Sequence, residues 1–156
     1  MLINIENINV IDCKLNSVEI AMLTAKYRGI ATSVFWCGIL MLPTEEEMNK
    51  IMSICLIMLK ESQTPMILHF EHISDRKLET PALPLIKHIV SVLVNEKQTL
   101  KNNIKCSIFQ AKKLDNITKT IRDLFLSLYT PMNPLVVTDD IHSIEEFVDT
   151  IMVSSC

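Results

Sequence analysis

Short apolar runs in the second part of the chain are separated by segments of helical periodicity. This alternation limits the possible folds more than any other feature. The runs are "PMILHF" at 65–70, "IKCSIFQ" at 104–110 and "LVVT" at 135–138. They are too short for helices and are flanked by prolines or polar clusters, so each reads as a strand. Their dense apolar content suits strands covered on both faces. Strands that alternate with helices call for a mainly parallel sheet, because parallel neighbours need a crossover.

The intervening segments carry helix signals. Thr44 followed by Glu47 is a capping box: the hydroxyl accepts from the Glu47 amide and the carboxylate reaches back to the Thr44 amide. A helix is expected from there to Glu61, with Ile51, Ile54, Cys55, Met58 and Leu59 on its inner stripe. Met52, Leu56 and Ile57 widen that stripe beyond the usual arc, so the helix is either covered on two sides or carries a partner surface. Met52 and Leu56 are the candidate interface. A second helix is expected over 81–103, with Thr80 as N-cap, Pro81 in the first position and Pro84 tolerated in the first turn. The stretch 112–129 has the cleanest stripe: Leu114, Ile117, Ile121, Leu124, Phe125 and Leu128. Ser143 and Glu146 make a second capping box ahead of Ile144, Phe147, Val148 and Ile151.

Residues 1–42 are β-rich. "INIENINVID" alternates apolar positions at Ile3, Ile5, Ile8 and Val10, with a break of register at Asn7. "VEIAMLTAKY" alternates weakly enough that a helix stays open there. "SVFWCGILML" at 33–42 reads as a buried strand, with Trp36 in the core. Turns are expected at Asn16-Ser17 and Arg28-Gly29. The whole, 1–156, reads as one domain: a β-rich part at 1–42, then alternating helices and strands at 43–152.

Composition excludes several functions. Only two glycines serve the chain, so no Gly-rich phosphate loop can be written. The net charge of −3 argues against nucleic acid as the main partner. Five widely spaced cysteines form no CxxC pair and mostly sit in apolar runs, where Cys is a small buried hydrophobe. A reducing, cytoplasmic setting is expected. No run is long enough to span a bilayer, and "MLINIENINV" lacks the charged start and apolar stretch expected of a signal peptide. The Ile-, Asn- and Lys-rich composition points to an AT-rich genome, such as that of a protist or a large DNA virus.

The residues richest in chemistry lie at 66–90, "MILHFEHISDRKLETPALPLIKHIV". His69 and His72 are three apart on a strand and therefore point to opposite faces, which argues against a shared metal. They read as a half-buried strand residue and a loop residue. Lys101, Lys105, Lys112 and Lys113 read as a solvated face, with anion or headgroup binding as the sharper alternative.

The segments "PTEEEMNKIM", "MILHFEHISDRKLETP" and "IKCSIFQAKKLDNITKTIRDLFLSLYTPMNPLVVTDDIHSIEEFVDTI" together resemble the STAS / SpoIIAA-like superfamily, the anti-sigma-factor-antagonist fold, in its stand-alone single-domain form. The resemblance covers about residues 34–152. It implies a four- to six-stranded mixed, mainly parallel sheet with about four helices. In that family an Asp-Ser-x-Gly motif follows the central strand, and a partner kinase phosphorylates its Ser. Here Glu79 and Thr80 stand at the Asp and Ser positions, while the Gly is Ala82 and a proline follows the hydroxyl. The resemblance implies a non-enzymatic regulatory module. Such a module would dock a protein partner through the loop 71–80 and the adjacent helix, with Ser74, Asp75, Glu79 and Thr80 as candidate partner-loop or phospho-acceptor residues. Self-association is expected through Met52 and Leu56, and no cofactor or metal is expected. The alternative is a lipid or nucleotide binder with a pocket near the strand C-termini. A hydrolase is the third reading.

Overall fold

The apolar runs pair into one sheet. The structure is a computed structural model that describes residues 5–27 and 29–154, with Tyr27 and Ser154 described by their backbone alone. The strands are β1 (Ile5–Ile11), β2 (Val18–Tyr27), β3 (Ile30–Ile39), β4 (Met66–His72), β5 (Ile104–Gln110) and β6 (Leu135–Thr138), side by side in chain order. β1, β2 and β3 pair antiparallel; β3 to β6 pair parallel. The helices are α1 (Glu45–Glu61), α2 (Leu83–Asn95), α3 (Lys97–Asn103), α4 (Asn116–Leu128) and α5 (Ile141–Ser154). This is the mixed, mainly parallel sheet expected, with five helices where about four were read.

Local chemistry explains the antiparallel part. Tyr27 pairs with Ile30 across a two-residue turn, and Gly29 takes φ +82°, the left-handed region that such a turn requires. "VEIAMLTAKY" is a strand, which closes the helix alternative. The register break in β1 lies between Ile5 and Asn7, where the sequence placed it. Ile3 and Cys156 lie outside the described residues, as does Arg28.

Each face of the sheet has its own core. On one, Ile51, Cys55 and Leu59 of α1 and Leu100 of α3 pack on Ile20, Phe35, Met66 and Leu68. On the other, Ile144, Val148 and Met152 of α5 pack on Leu23, Val34, Trp36, Ile67 and Ile108. Strands 3 to 6 advance across the sheet in one direction. Same-handed crossovers then bring their helices to the same face, and among the described helices α5 covers the other.

The Thr44–Glu47 capping box forms as read: the Thr44 Oγ1 accepts from the Glu47 N–H at 3.2 Å and Glu47 Oε1 accepts from the Thr44 N–H at 3.1 Å. Glu47 Oε2 also accepts from the buried Ser17 hydroxyl at 2.8 Å, tying α1 to the start of β2. The Thr44 N–H, then the Ser17 hydroxyl, hold the Glu47 carboxyl below its ordinary range. Glu47→Ala removes a cap partner and strands a buried hydroxyl. It is expected to destabilise by about 1–2 kcal/mol in denaturant unfolding. In a Ser17→Ala background the same change should cost less, because no hydroxyl is left unpaired.

Three helix starts differ from expectation. α2 begins at Leu83, with Ala82 rather than Thr80 as N-cap. Capping at Thr80 would make Pro84 donate the first helical hydrogen bond to the Thr80 carbonyl, and proline has no N–H. The start therefore moves until Pro84 occupies the second position, and Ile86 N–H gives the bond to Ala82 O at 3.2 Å. The expected helix 81–103 also divides at Glu96 into α2 and α3. α4 begins after Asp115, whose Oδ1 accepts from the Thr118 N–H at 2.8 Å. α5 begins before Ser143: Asp140 Oδ1 accepts from the His142 N–H at 3.1 Å, and the Ser143 hydroxyl donates to Asp140 Oδ2 at 3.0 Å. The Ser143–Glu146 box gives way to this earlier cap. α4 keeps its apolar stripe but packs mainly beside α2, so Ile117, Leu124 and Leu128 remain exposed and none of its residues is buried.

Candidate functional site

β4 lies inside the sheet, hydrogen-bonded to β3 and β5. It is longer than the apolar run suggested, because Glu71 and His72 continue the ladder opposite Gly38 and Ile39. His69 and His72 point to opposite faces, as the strand period requires.

His69 is fully buried rather than half-buried, on the α5 face. Its Nε2 stands 2.9 Å from Gln110 Oε1 and 3.8 Å from Glu71 Oε1, and the Trp36 indole N–H donates to Glu71 Oε1 at 3.1 Å. The Gln110 carbonyl assigns the proton to Nε2, leaving Nδ1 as a lone pair. Nδ1 is buried and makes no hydrogen bond among the described residues, so a second proton there would find no acceptor among them. Burial pushes the His69 pKa down to about 4, although Gln110 and Glu71 act the other way. The imidazole is neutral at pH 7. Burial also pushes the Glu71 carboxyl up; hydrogen bonds, the Trp36 indole among them, together with His69 bring it below its ordinary value.

His72 ends β4 rather than lying in the loop. Its Nε2 is 3.2 Å from Ser74 Oγ, and Ser74 Oγ donates to Leu40 O at 2.6 Å. The serine proton is committed to that carbonyl, so His72 donates to the hydroxyl and does not activate it. The Ile73 N–H gives a further bond to Ile39 O at 3.0 Å. Ser74 is thus a tie between loop and sheet. Cys37, Cys55 and Cys106 are buried thiols pushed up to about 12, first by burial, and are poor nucleophiles.

Beyond Ser74 the chain turns outward without regular structure as far as Ala82. Asp75, Arg76, Lys77, Glu79 and Thr80 are all exposed. Lys112, from the loop after β5, reaches Asp75 Oδ1 at 3.4 Å. Lys77 lies close enough to Asp115 to join the Thr118 N–H, the main cause, in lowering its carboxyl. Asp139, just past β6, accepts from the Leu114 N–H at 2.9 Å. The loops after β4, β5 and β6 therefore form one rim of mixed charge at the C-terminal ends of the parallel strands.

The rim separates two pairs that the sequence had grouped. Lys101 lies in the last turn of α3 and Lys105 at the start of β5, while Lys112 and Lys113 lie past its end. A strand of this length sets them roughly 20 Å apart, so they are not one basic cluster. Thr80 lies two residues before the α2 cap, so a phosphate there would not sit on the helix N-terminus. Met52 and Leu56 are partly buried, with Leu56 against the α1-side core, while Ile57 faces outward. Gln110 and Ser17 were missed; each meets its partner across 41 or 30 residues of sequence, and only the strand pairing reveals the match.

Two open grooves lie on the antiparallel side. One of about 380 Å³ has Cys13, Asn49 and Ile54 among its walls; the other, about 490 Å³, has Ile8, Val10, Ala21 and Trp36. Residues 71–80 line neither. The strand order never reverses within the parallel part, so the crevice that open α/β sheets use for ligands is not created here. Among the described residues no His, Cys, Asp and Glu cluster is arranged to hold a metal, and no helix is long and apolar enough to cross a membrane.

No family model matches the sequence, and no curated protein matches it. One solved structure is similar: an uncharacterized protein of the DUF3478 family from Shewanella loihica PV-4, described as having a SpoIIAA-like fold. It is 10% identical, with a TM-score of 0.49 over 85% of this chain and 96% of that one.

Proposed function

We propose that the protein is a non-enzymatic regulatory module that docks a protein partner on the rim formed by residues 73–82 and the start of α2. The observation that carries this reading is the build of the loop after β4. Its first residues are pinned to the end of β3 through Ile73 and to Leu40 just past it through Ser74, and the rest presents Asp75, Arg76, Lys77, Glu79 and Thr80 to solvent. A long exposed loop on a rigid strand is a common seat of recognition. Its mixed charges favour a partner with a complementary mixed surface.

Thr80 is the candidate phospho-acceptor. A phosphate there would act by adding negative charge to the rim, between Lys77 and the entry to α2, and not by capping the helix. A partner recovered from the source cells should bind Arg76→Glu/Lys77→Glu at least tenfold more weakly in titration calorimetry. The stability of that variant should stay within about 0.5 kcal/mol, because both side chains are exposed. Unchanged affinity would rule out this rim as the docking surface.

A further inference from the structure

We infer that β1 is a self-pairing edge, through which two copies of the chain join their sheets about a two-fold axis at Asn9. The two edges of the sheet are built differently. β6 has four residues and α5 packs beside it. β1 has seven, "IENINVI", and its outer edge meets no other strand among the described residues. Natural sheets guard such an edge with lysine, proline or distortion. β1 carries neither residue; its one charge, Glu6, and its one irregularity both fall within Ile5–Asn7, leaving Asn7 to Ile11 uncharged and in regular register with β2.

The side chains say which strand would fit. Ile8 and Val10 lie opposite Leu23 and Ala21, on the α5 face, yet are 48% and 74% exposed. The groove of about 490 Å³ runs inward from them to Trp36. An antiparallel copy centred on Asn9 sets Ile8 opposite the second copy's Val10, and Val10 opposite its Ile8. That makes a four-residue apolar stripe continuous with the groove. Asn9 meets itself, and an amide both donates and accepts, so the pair is self-complementary. Ile11 falls opposite Asn7. The only like charges brought together are Glu6 and Asp12, beyond the regular ladder. Glu6 already has Lys26 at 4.0 Å, and Asp12 accepts from the Lys14 N–H at 3.2 Å. The occupant is therefore a second copy of this chain. The inference is independent of the rim at 73–82.

Sedimentation at concentrations up to ~100 μM, above the range where small interfaces bind, should show twice the 17.8 kDa chain mass. Ile8→Lys/Val10→Lys should return a monomer with an unchanged circular dichroism spectrum, since both positions are exposed. With Cys13 and Cys156 changed to Ser, Asn9→Cys should form an intermolecular disulfide on mild oxidation. Directly opposed residues fall within disulfide reach. Asn7→Cys should not, because its copies stand roughly 13 Å apart along the strand. A monomer throughout, a dimer that survives the lysines, or equal crosslinking at both positions would overturn the inference.

Discussion

Acidifying the protein from about pH 6.5 to about pH 4 is expected to remove ~3 kcal/mol of stability through His69 alone. The folded His69 pKa lies near 4, against an ordinary value of 6.5. Between those values the unfolded chain binds a proton at this residue and the folded chain does not. Stability therefore falls as pH falls through that window and is level above it. The carboxyls with lowered values, Glu47 and Glu71, behave differently. Their stabilisation is complete above the ordinary carboxylate pKa and is lost below it. The interval from about 6.5 to 4.5 therefore reports His69. Urea unfolding at several pH values should show this slope, and His69→Leu should flatten it. If the variant keeps the slope, the buried imidazole is not its source. Proton resonances of the ring should titrate with a midpoint below 5.

His69 also marks how far the sequence could be read. Its strand, its interior place and its divergence from His72 followed from an apolar run and the two-residue period. Its depth did not, because the Gln110 amide that lets a polar ring be fully buried lies on another strand. The same division holds at the rim. Apolar spacing located β4 and α2, and the loop between them was legible as a polar interruption. Thr80-Pro81 does not mark the start of α2, because Pro84 has no N–H to give the first helical bond to a Thr80 cap. The basic cluster dissolved because neighbours in sequence were separated by the length of a strand. The exposure of the α4 stripe was not legible at all. Periodicity shows that a face is apolar, and only packing shows whether anything covers it.

The two glycines make the same point, and the second carries the other large prediction. Gly29 serves a turn and announces itself by position. Gly38 sits in β3 with an ordinary strand backbone, and what it supplies is space. A Cβ there would stand 2.5 Å from Trp36 Cη2 and 2.6 Å from Ile73 Cδ1. Gly38→Ala must therefore move the indole, whose N–H is bonded to Glu71, and press on the first residue of the loop. Overpacking and strain on a hydrogen bond to a carboxylate together should cost about 3 kcal/mol. Trp36 is the chain's single tryptophan, so its emission reports the ring directly. Gly38→Ala should shift that emission to the red and lower the denaturant midpoint. In a Trp36→Phe background the penalty should shrink, because the colliding ring atoms are gone. An equal penalty in both backgrounds would place the strain elsewhere. The same alanine also presses on Ile73 and loosens the pinned start of the rim. Partner binding should then weaken in Gly38→Ala although none of the exposed rim residues has changed.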